Sequence, residues 1–186
     1  MTNKQPDRDV HISEDAALIA KSKKDMRHFD GLYRKYYSLI FKFIRKRVSD
    51  QDQVNDITSQ VFLKAMLKLG DYKHQGFPFS SWLYRIALSE MGNLFRSESA
   101  ERALRVDFKL TEELYSEMGT SANETDALTL GRAMNSLNEE HLTMLEMRYF
   151  EKIKLKDIAH IMELTESNAK VKMHRIINKL RKQLGT

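Results

Sequence analysis

A helical spacing of apolar residues recurs along most of the chain and leaves little room for any other fold. From Phe29, the residues Leu32, Tyr33, Tyr36, Tyr37, Ile40, Phe41, Ile44 and Val48 step by three, one and four, which places them on one face of a helix. Asp50 and Asp52 stand where a second helix should begin, because carboxylates are favoured at a helix's positive end. That helix continues through Val54, Ile57, Val61, Phe62, Ala65, Met66 and Leu69 and stops at Gly70. GDYKHQGFPFSS then reads as a loop with Gly, Pro and exposed aromatics. A third helix starts around Ser80 or Ser81 and carries Trp82, Leu83, Ile86, Ala87 and Leu94. A short helix at Glu14 to Lys21 joins this first group. With 7 Gly, 2 Pro and no sustained strand-like alternation, the expected class is all-α.

The charge pattern divides the chain. At 186 residues and 41% hydrophobic content there is enough apolar surface for one fair core or two small ones. The formal charge of +5 only tilts the odds toward an anionic partner. Its distribution says more. Arg34, Lys35, Lys42, Arg45, Lys46 and Arg47 follow one another with no acid between them, and Lys170, Lys172, Arg175, Lys179, Arg181 and Lys182 face Glu166 alone. Between these blocks, Ser97 to Gly131 holds eight carboxylates and three cations. Two basic modules joined by an acidic segment are therefore expected: a flexible tail over 1–13, a helical domain over 14–97, a flexible acidic linker over 98–129 and a second helical domain over 130–186. The linker's charge complements both basic faces, so the free protein is expected to fold its domains together.

The chain has no cysteine, which removes disulfides, zinc-thiolate sites and cysteine nucleophiles. MTNKQPDRDVHISED is too polar for a signal peptide, and no apolar run is long enough for a bilayer. A cytoplasmic protein without membrane insertion is expected. The six histidines lack metal-ligand spacing, and neither a glycine-rich phosphate loop nor a nucleophile–base pair is visible. No cofactor, no metal and no enzyme activity are expected.

The second module ends in LKDIAHIMELTESNAKVKMHRIINKL, two helical stretches broken by Glu163, Leu164 and Thr165. On a helical wheel, Ala169, Met173, Ile176, Ile177, Leu180 and Leu184 share a narrow arc. Asn168, Val171, Lys172, Arg175, Asn178, Lys179 and Lys182 lie roughly opposite. Thr165 suits an N-cap, Ala159 is small where two helices would cross, and Leu164 can pin them. A short helix, a three-residue turn and a longer basic helix make a helix-turn-helix pattern. An ordinary helical hairpin with a solvated face fits the periodicity equally well. Val171 favours DNA: a soluble helix gains nothing from a β-branched residue amid cations, whereas a major-groove helix can press it on a thymine methyl.

Several ordered segments carry a family resemblance. FDGLYRKYYSLIFKFIRKRV, VNDITSQVFLKAMLKL, FSSWLYRIA with EMGNLFR after it, and LNEEHLTMLEMRYFEKIKLKDIAHIMELTESNAKVKMHRIINKL stand in sequence. Together they resemble a bacterial RNA polymerase sigma factor of the small, two-domain, extracytoplasmic-function (ECF) type, over roughly residues 14–96 and 130–184. The first helix and the core-binding helix belong to the family's sigma-2 domain, the aromatic block to its promoter-melting segment, and the last segment to sigma-4.

The resemblance implies roles at matching positions. Asp52, Asn55, Asp56 and Gln60 would dock on the clamp helices of the polymerase largest subunit. Tyr72, Lys73, His74 and Phe77 would belong to a loop that captures a flipped minus-ten base, with Trp82, Arg85, Ser89, Asn93 and Arg96 along the melted-strand path. Ser167, Asn168, Lys170, Val171, Lys172, His174 and Arg175 would enter the major groove at the minus-thirty-five element. Leu145, Tyr149 and Phe150 would help sigma-4 pack, its outer surface meeting the polymerase flap. Of Trp82 and Tyr84, only one is expected to be an exposed aromatic. The implied partners are core RNA polymerase, promoter DNA as duplex and melted strand, and an anti-sigma factor.

Departures from the family pattern are local. Ser59 and Gln60 replace the usual Gln and acidic residue, and Ser89 and Asn93 stand where Asn and Asp are frequent. Glu163 replaces a frequent Gly in the turn, and Lys154 a usual Ser or Thr cap. The leading expectation is a dissociable promoter-specificity subunit; the alternative is a stand-alone helix-turn-helix regulator.

Overall fold

The computed structural model describes residues 6–97, 114–115 and 126–184. Most of the expected acidic linker, 98–129, lies outside the described residues. The chain divides into two compact units, Met1–Ala103 and Leu104–Thr186. Among the described residues, helices are the only extended elements.

The first unit contains α1 (Pro6–Lys24), a single 3-10 turn (Met26–His28), α2 (Phe29–Arg45), α3 (Gln51–Lys68) and α4 (Phe79–Ser97). α1 begins at Pro6, not Glu14, so most of the expected tail is helical; proline is well suited to a first helical position. Asp50 caps α3, its carboxylate accepting from the Gln53 N–H at 2.8 Å. α2, α3 and α4 pack against one another, and α1 covers α2. Leu32, Ile40, Phe43, Ile44, Val54, Val61, Ala65, Leu69, Leu83 and Ala87 form a solvent-free core, each large side chain contributing about 1.5–3 kcal/mol by leaving water.

α2 buries a wider arc than its apolar stripe suggested. Phe43 is fully buried, in an edge-to-face contact with Tyr84 of α4 at 4.7 Å between ring centroids. Tyr33, expected in the stripe, is 39% exposed. The reason is that α2 has three helical neighbours, and the α4 side recruits residues outside the α3-facing stripe. Gly31 allows α1 close: a Cβ there would meet Leu18 Cδ2 at 3.1 Å. Arg47 is buried, its guanidinium 3.6 Å from the Phe43 ring centroid and donating to the Phe43 carbonyl at 2.9 Å.

The second unit contains α5 (Asp126–Asn135), α6 (Glu139–Tyr149), α7 (Leu155–Ile161) and α8 (Glu166–Leu184). Asn138 caps α6 by accepting from the His141 N–H at 2.8 Å. α5, α6 and α7 all pack against α8. Leu130, Met134, Met144, Leu145, Met147, Ile158, Ala169, Ile176 and Leu180 are buried at the centre.

Candidate nucleic-acid interface

α7, the turn after it and α8 form the helix-turn-helix. The Leu164 N–H donates to the Ala159 carbonyl at 2.8 Å, folding the turn back on α7. Thr165 starts α8, its hydroxyl accepting from the Asn168 N–H at 3.2 Å. Ala169, Met173, Ile176, Ile177 and Leu180 are buried, and Ser167, Asn168, Lys170, Val171, His174 and Arg175 are exposed. Val171 is 48% exposed on this polar face. Lys172 is only half-exposed and forms an ion pair with Glu140 of α6. The Asn178 amide lies 2.9 Å from His174 Nε2, which steadies that ring.

The departures at Glu163 and Lys154 each have a physical signature. Glu163 adopts φ of 57°, the left-handed region that favours glycine. Lys154 occupies the N-cap of α7 with no side-chain bond to the helix; the Asp157 N–H, which a Ser or Thr hydroxyl would take, donates instead to the Lys154 carbonyl at 2.9 Å.

In the first unit, the loop between α3 and α4 holds an aromatic cluster. Tyr72 packs on Phe79 at 5.3 Å and on Trp82 at 4.8 Å, and Phe79 on Trp82 at 5.4 Å. Phe79, read from sequence among the exposed loop aromatics, is instead buried: it opens α4 and turns inward against Tyr36. Tyr84 is buried too, which leaves Trp82 as the accessible member of that pair. Burial, with a smaller contribution from the Asp15 charge, pushes the Tyr72 hydroxyl up to about 12, so it is a neutral group at pH 7. Lys73 and His74 are exposed at the loop tip, Phe77 is half-buried, and Gly76 turns the chain with φ of 77°. Along α4, Arg85 is half-buried and Ser89 and Asn93 are exposed. With Trp82 these residues recur at helical spacing along one side of α4. The Arg96 side chain lies outside the described ones.

A third surface lies on α3. Asp52, Asn55, Asp56 and Gln60 are exposed there. Leu63 is 44% exposed and Leu67 71% exposed. At positions three and seven after Gln60, these leucines continue the same row, away from the buried Val54, Ile57, Val61 and Ala65. Sequence reading missed them. Their only signal was falling outside the buried repeat.

Two helical units, one ending in a helix-turn-helix whose second helix bares a valine among cations, define a DNA-binding protein of the bipartite, all-α class. Residues 32–101 match the family model described as Sigma-70 region 2, and residues 133–182 the one described as Sigma-70, region 4. The chain belongs to the sigma-70 family as a sigma factor of the ECF type, a transcription-initiation factor and not a stand-alone regulator.

Similar proteins agree. The RNA polymerase sigma-H factor of Pseudomonas aeruginosa is 28% identical over 174 residues, covering 87% of this chain and 89% of that protein. RNA polymerase sigma factor YlaC of Bacillus subtilis is 25% identical over 165 residues, covering 86% and 95%. The ECF RNA polymerase sigma factor BldN of Streptomyces coelicolor is 25% identical over 162 residues; the match takes in 84% of this chain and spans 60% of BldN. Among solved structures, CnrH in complex with the cytosolic domain of CnrY shares the fold at a TM-score of 0.61 and 20% identity, over 91% of this chain and 96% of that one. The sigma factor RpoE in complex with the anti-sigma factor NepR from Bartonella quintana does so at 0.56 and 17%, over 85% and 97%. Among the described residues, no helix is long and apolar enough to cross a membrane.

Proposed function

We propose that this chain is a dissociable promoter-specificity subunit that binds core RNA polymerase, directs it to promoters and stabilises the melted DNA. The α3 row Asp52, Asn55, Asp56 and Gln60, extended by Leu63 and Leu67, docks on the clamp helices of the polymerase largest subunit. The second unit's outer surface meets the flap. α8 enters the major groove at the minus-thirty-five element, where Val171 packs on a thymine methyl, Arg175 reaches a guanine edge, and Lys170 and Lys172 bind phosphates. Ser167, Asn168 and His174 border these contacts. Tyr72, Lys73, His74 and Phe77 capture a flipped minus-ten base, a step that costs a few kcal/mol of unstacking. Trp82, Arg85, Ser89, Asn93 and Arg96 line the strand beyond it.

The observation that carries this reading is the pairing, in one chain, of an exposed-valine recognition helix with a Tyr72–Trp82 aromatic loop. A duplex-only repressor has no use for the second. No covalent chemistry belongs to the chain itself, and it acts in the cytoplasm, at the nucleoid when bound to polymerase. An anti-sigma factor is its natural antagonist, a partner of the kind that NepR is to the RpoE of Bartonella quintana. Run-off transcription with purified core polymerase on a genomic promoter pool tests the whole reading. Discrete start sites that require this protein are expected. DNA binding without any such transcripts would overturn it.

A further inference from the structure

Lys23, in the last turn of α1, reaches across the first unit to the loop after α3. Its ammonium donates to the Gly70 carbonyl at 3.0 Å and to the Tyr72 carbonyl at 2.6 Å. Both acceptors lie just past the C-terminal end of α3, where a helix carries partial negative charge and carbonyls lack intrahelical partners. One cation thus fixes the backbone on either side of Asp71.

A second link comes from the same helix. The buried Asp15 carboxylate accepts from the Tyr36 hydroxyl at 2.5 Å, the Tyr36 ring lies 5.7 Å from Phe79, and Phe79 packs on both Tyr72 and Trp82. α1 therefore holds the aromatic loop twice, by its backbone through Lys23 and by its rings through Tyr36. The tip that remains, Lys73 to Gly76, is exposed.

We infer that Lys23 is a positioning residue for base capture, holding Tyr72 and the loop tip in the geometry that receives the flipped nucleotide. This rests on the base-capture reading proposed above. Capturing an unstacked base already costs free energy, and a loop that must also be ordered on binding adds to that cost. Anchoring the loop in the free protein removes the second cost. The contact has no part in duplex recognition by α8.

Trp82 is the only tryptophan in the chain, so in the free protein, before core polymerase is added, its emission reports on this cluster alone. The test compares holoenzymes carrying Lys23→Met, which keeps the aliphatic stem, and Lys23→Arg, which keeps the charge and two donors. Each is measured for binding to a single-stranded oligonucleotide bearing the minus-ten bases of a mapped promoter, and to the same strand with each base replaced. Lys23→Met is expected to bind about tenfold more weakly, in line with the loss of hydrogen bonds from a charged donor. It should also lose discrimination at one base and shift Trp82 emission, while core affinity and duplex minus-thirty-five binding stay unchanged. Lys23→Arg should recover most of the discrimination. Wild-type selectivity and emission in Lys23→Met would overturn the inference, as would a uniform loss of melting temperature, core affinity and strand binding together. Tyr72→Ala separates the two levels: if it leaves base selectivity intact, the base-capture reading fails and the Lys23 inference goes with it. If it abolishes selectivity while Lys23→Met does not, only the inference fails.

Discussion

The Tyr36 hydroxyl and the Asp15 carboxylate share a 2.5 Å hydrogen bond inside the first unit, joining α2 to α1. Lys35 completes the group at 2.9 Å from the other Asp15 oxygen. Burial, then the bond to Asp15 and its charge, raises the ionisation of Tyr36 far above its ordinary 10.0. Lys35 is also raised from 10.5; burial alone would lower it, but Asp15 and Glu14 outweigh that. A group raised in the folded state contributes stability that is complete below its unfolded value and is lost as pH climbs toward the folded one. The urea midpoint should hold steady up to about pH 10 and fall beyond it. Tyr36→Phe should start lower at neutral pH, by about 1.5–3 kcal/mol for the lost bond to a charged, buried carboxylate. Its alkaline decline should be shallower, with Lys35 and Tyr72 still titrating. Parallel declines in the two proteins would exclude Tyr36 as a source.

Glu163 holds a left-handed conformation that costs a side-chain-bearing residue about 1–2 kcal/mol. Glu163→Gly relieves that cost and gives back part of it through the greater freedom of the unfolded chain. A net gain of about 0.5–1 kcal/mol is expected in urea unfolding. Glu163→Ala should gain nothing, since it keeps the Cβ. Equal effects from the two substitutions would show that the turn is unstrained.

Leu67 is 71% exposed in the free chain, so replacing it removes little packing. Leu67→Lys should leave stability within about 0.5 kcal/mol of wild type. Core polymerase affinity should drop by about tenfold, or ~1.4 kcal/mol. Competition binding against wild type measures it. Unchanged affinity would move the polymerase contact off this end of α3.

Arg175→Ala addresses the other unit. If Arg175 reads a base edge, promoter binding should weaken by about 1–3 kcal/mol and specificity should relax at a single position. Binding measured across a panel of minus-thirty-five variants distinguishes this from a phosphate contact, which would lower all affinities alike.

Local periodicity made the helices legible. Residues 155–184 show it best: a buried arc, an N-cap threonine and a small Ala159 at the crossing were all present as pattern. Phe43 escaped because burial against a third helix is a tertiary fact with no local period. Phe79 sits near the end of a stretch whose Gly, Pro and polar residues read as loop, yet it is the first residue of α4 and faces inward. The Lys23 anchor spans 47 and 49 residues, and nothing near Lys23 announces its acceptors. The α3 leucines were hidden differently, since an apolar residue in an amphipathic helix reads as core until its neighbours are placed.

The Lys172–Glu140 ion pair alters how the second unit should respond to ionic strength. When a free lysine engages a DNA phosphate, condensed cations leave the DNA, and each such contact steepens the decline of affinity with salt by about 0.9 in the logarithmic slope. Lys172 begins with a counterion built into the protein. Moving it to a phosphate leaves the Glu140 carboxylate without its partner beside the DNA, where it draws cations back and offsets part of that release. If Lys172 takes a phosphate as proposed, a salt titration would undercount the phosphate contacts of α8, and Glu140→Gln would reveal the missing contact as a steeper slope.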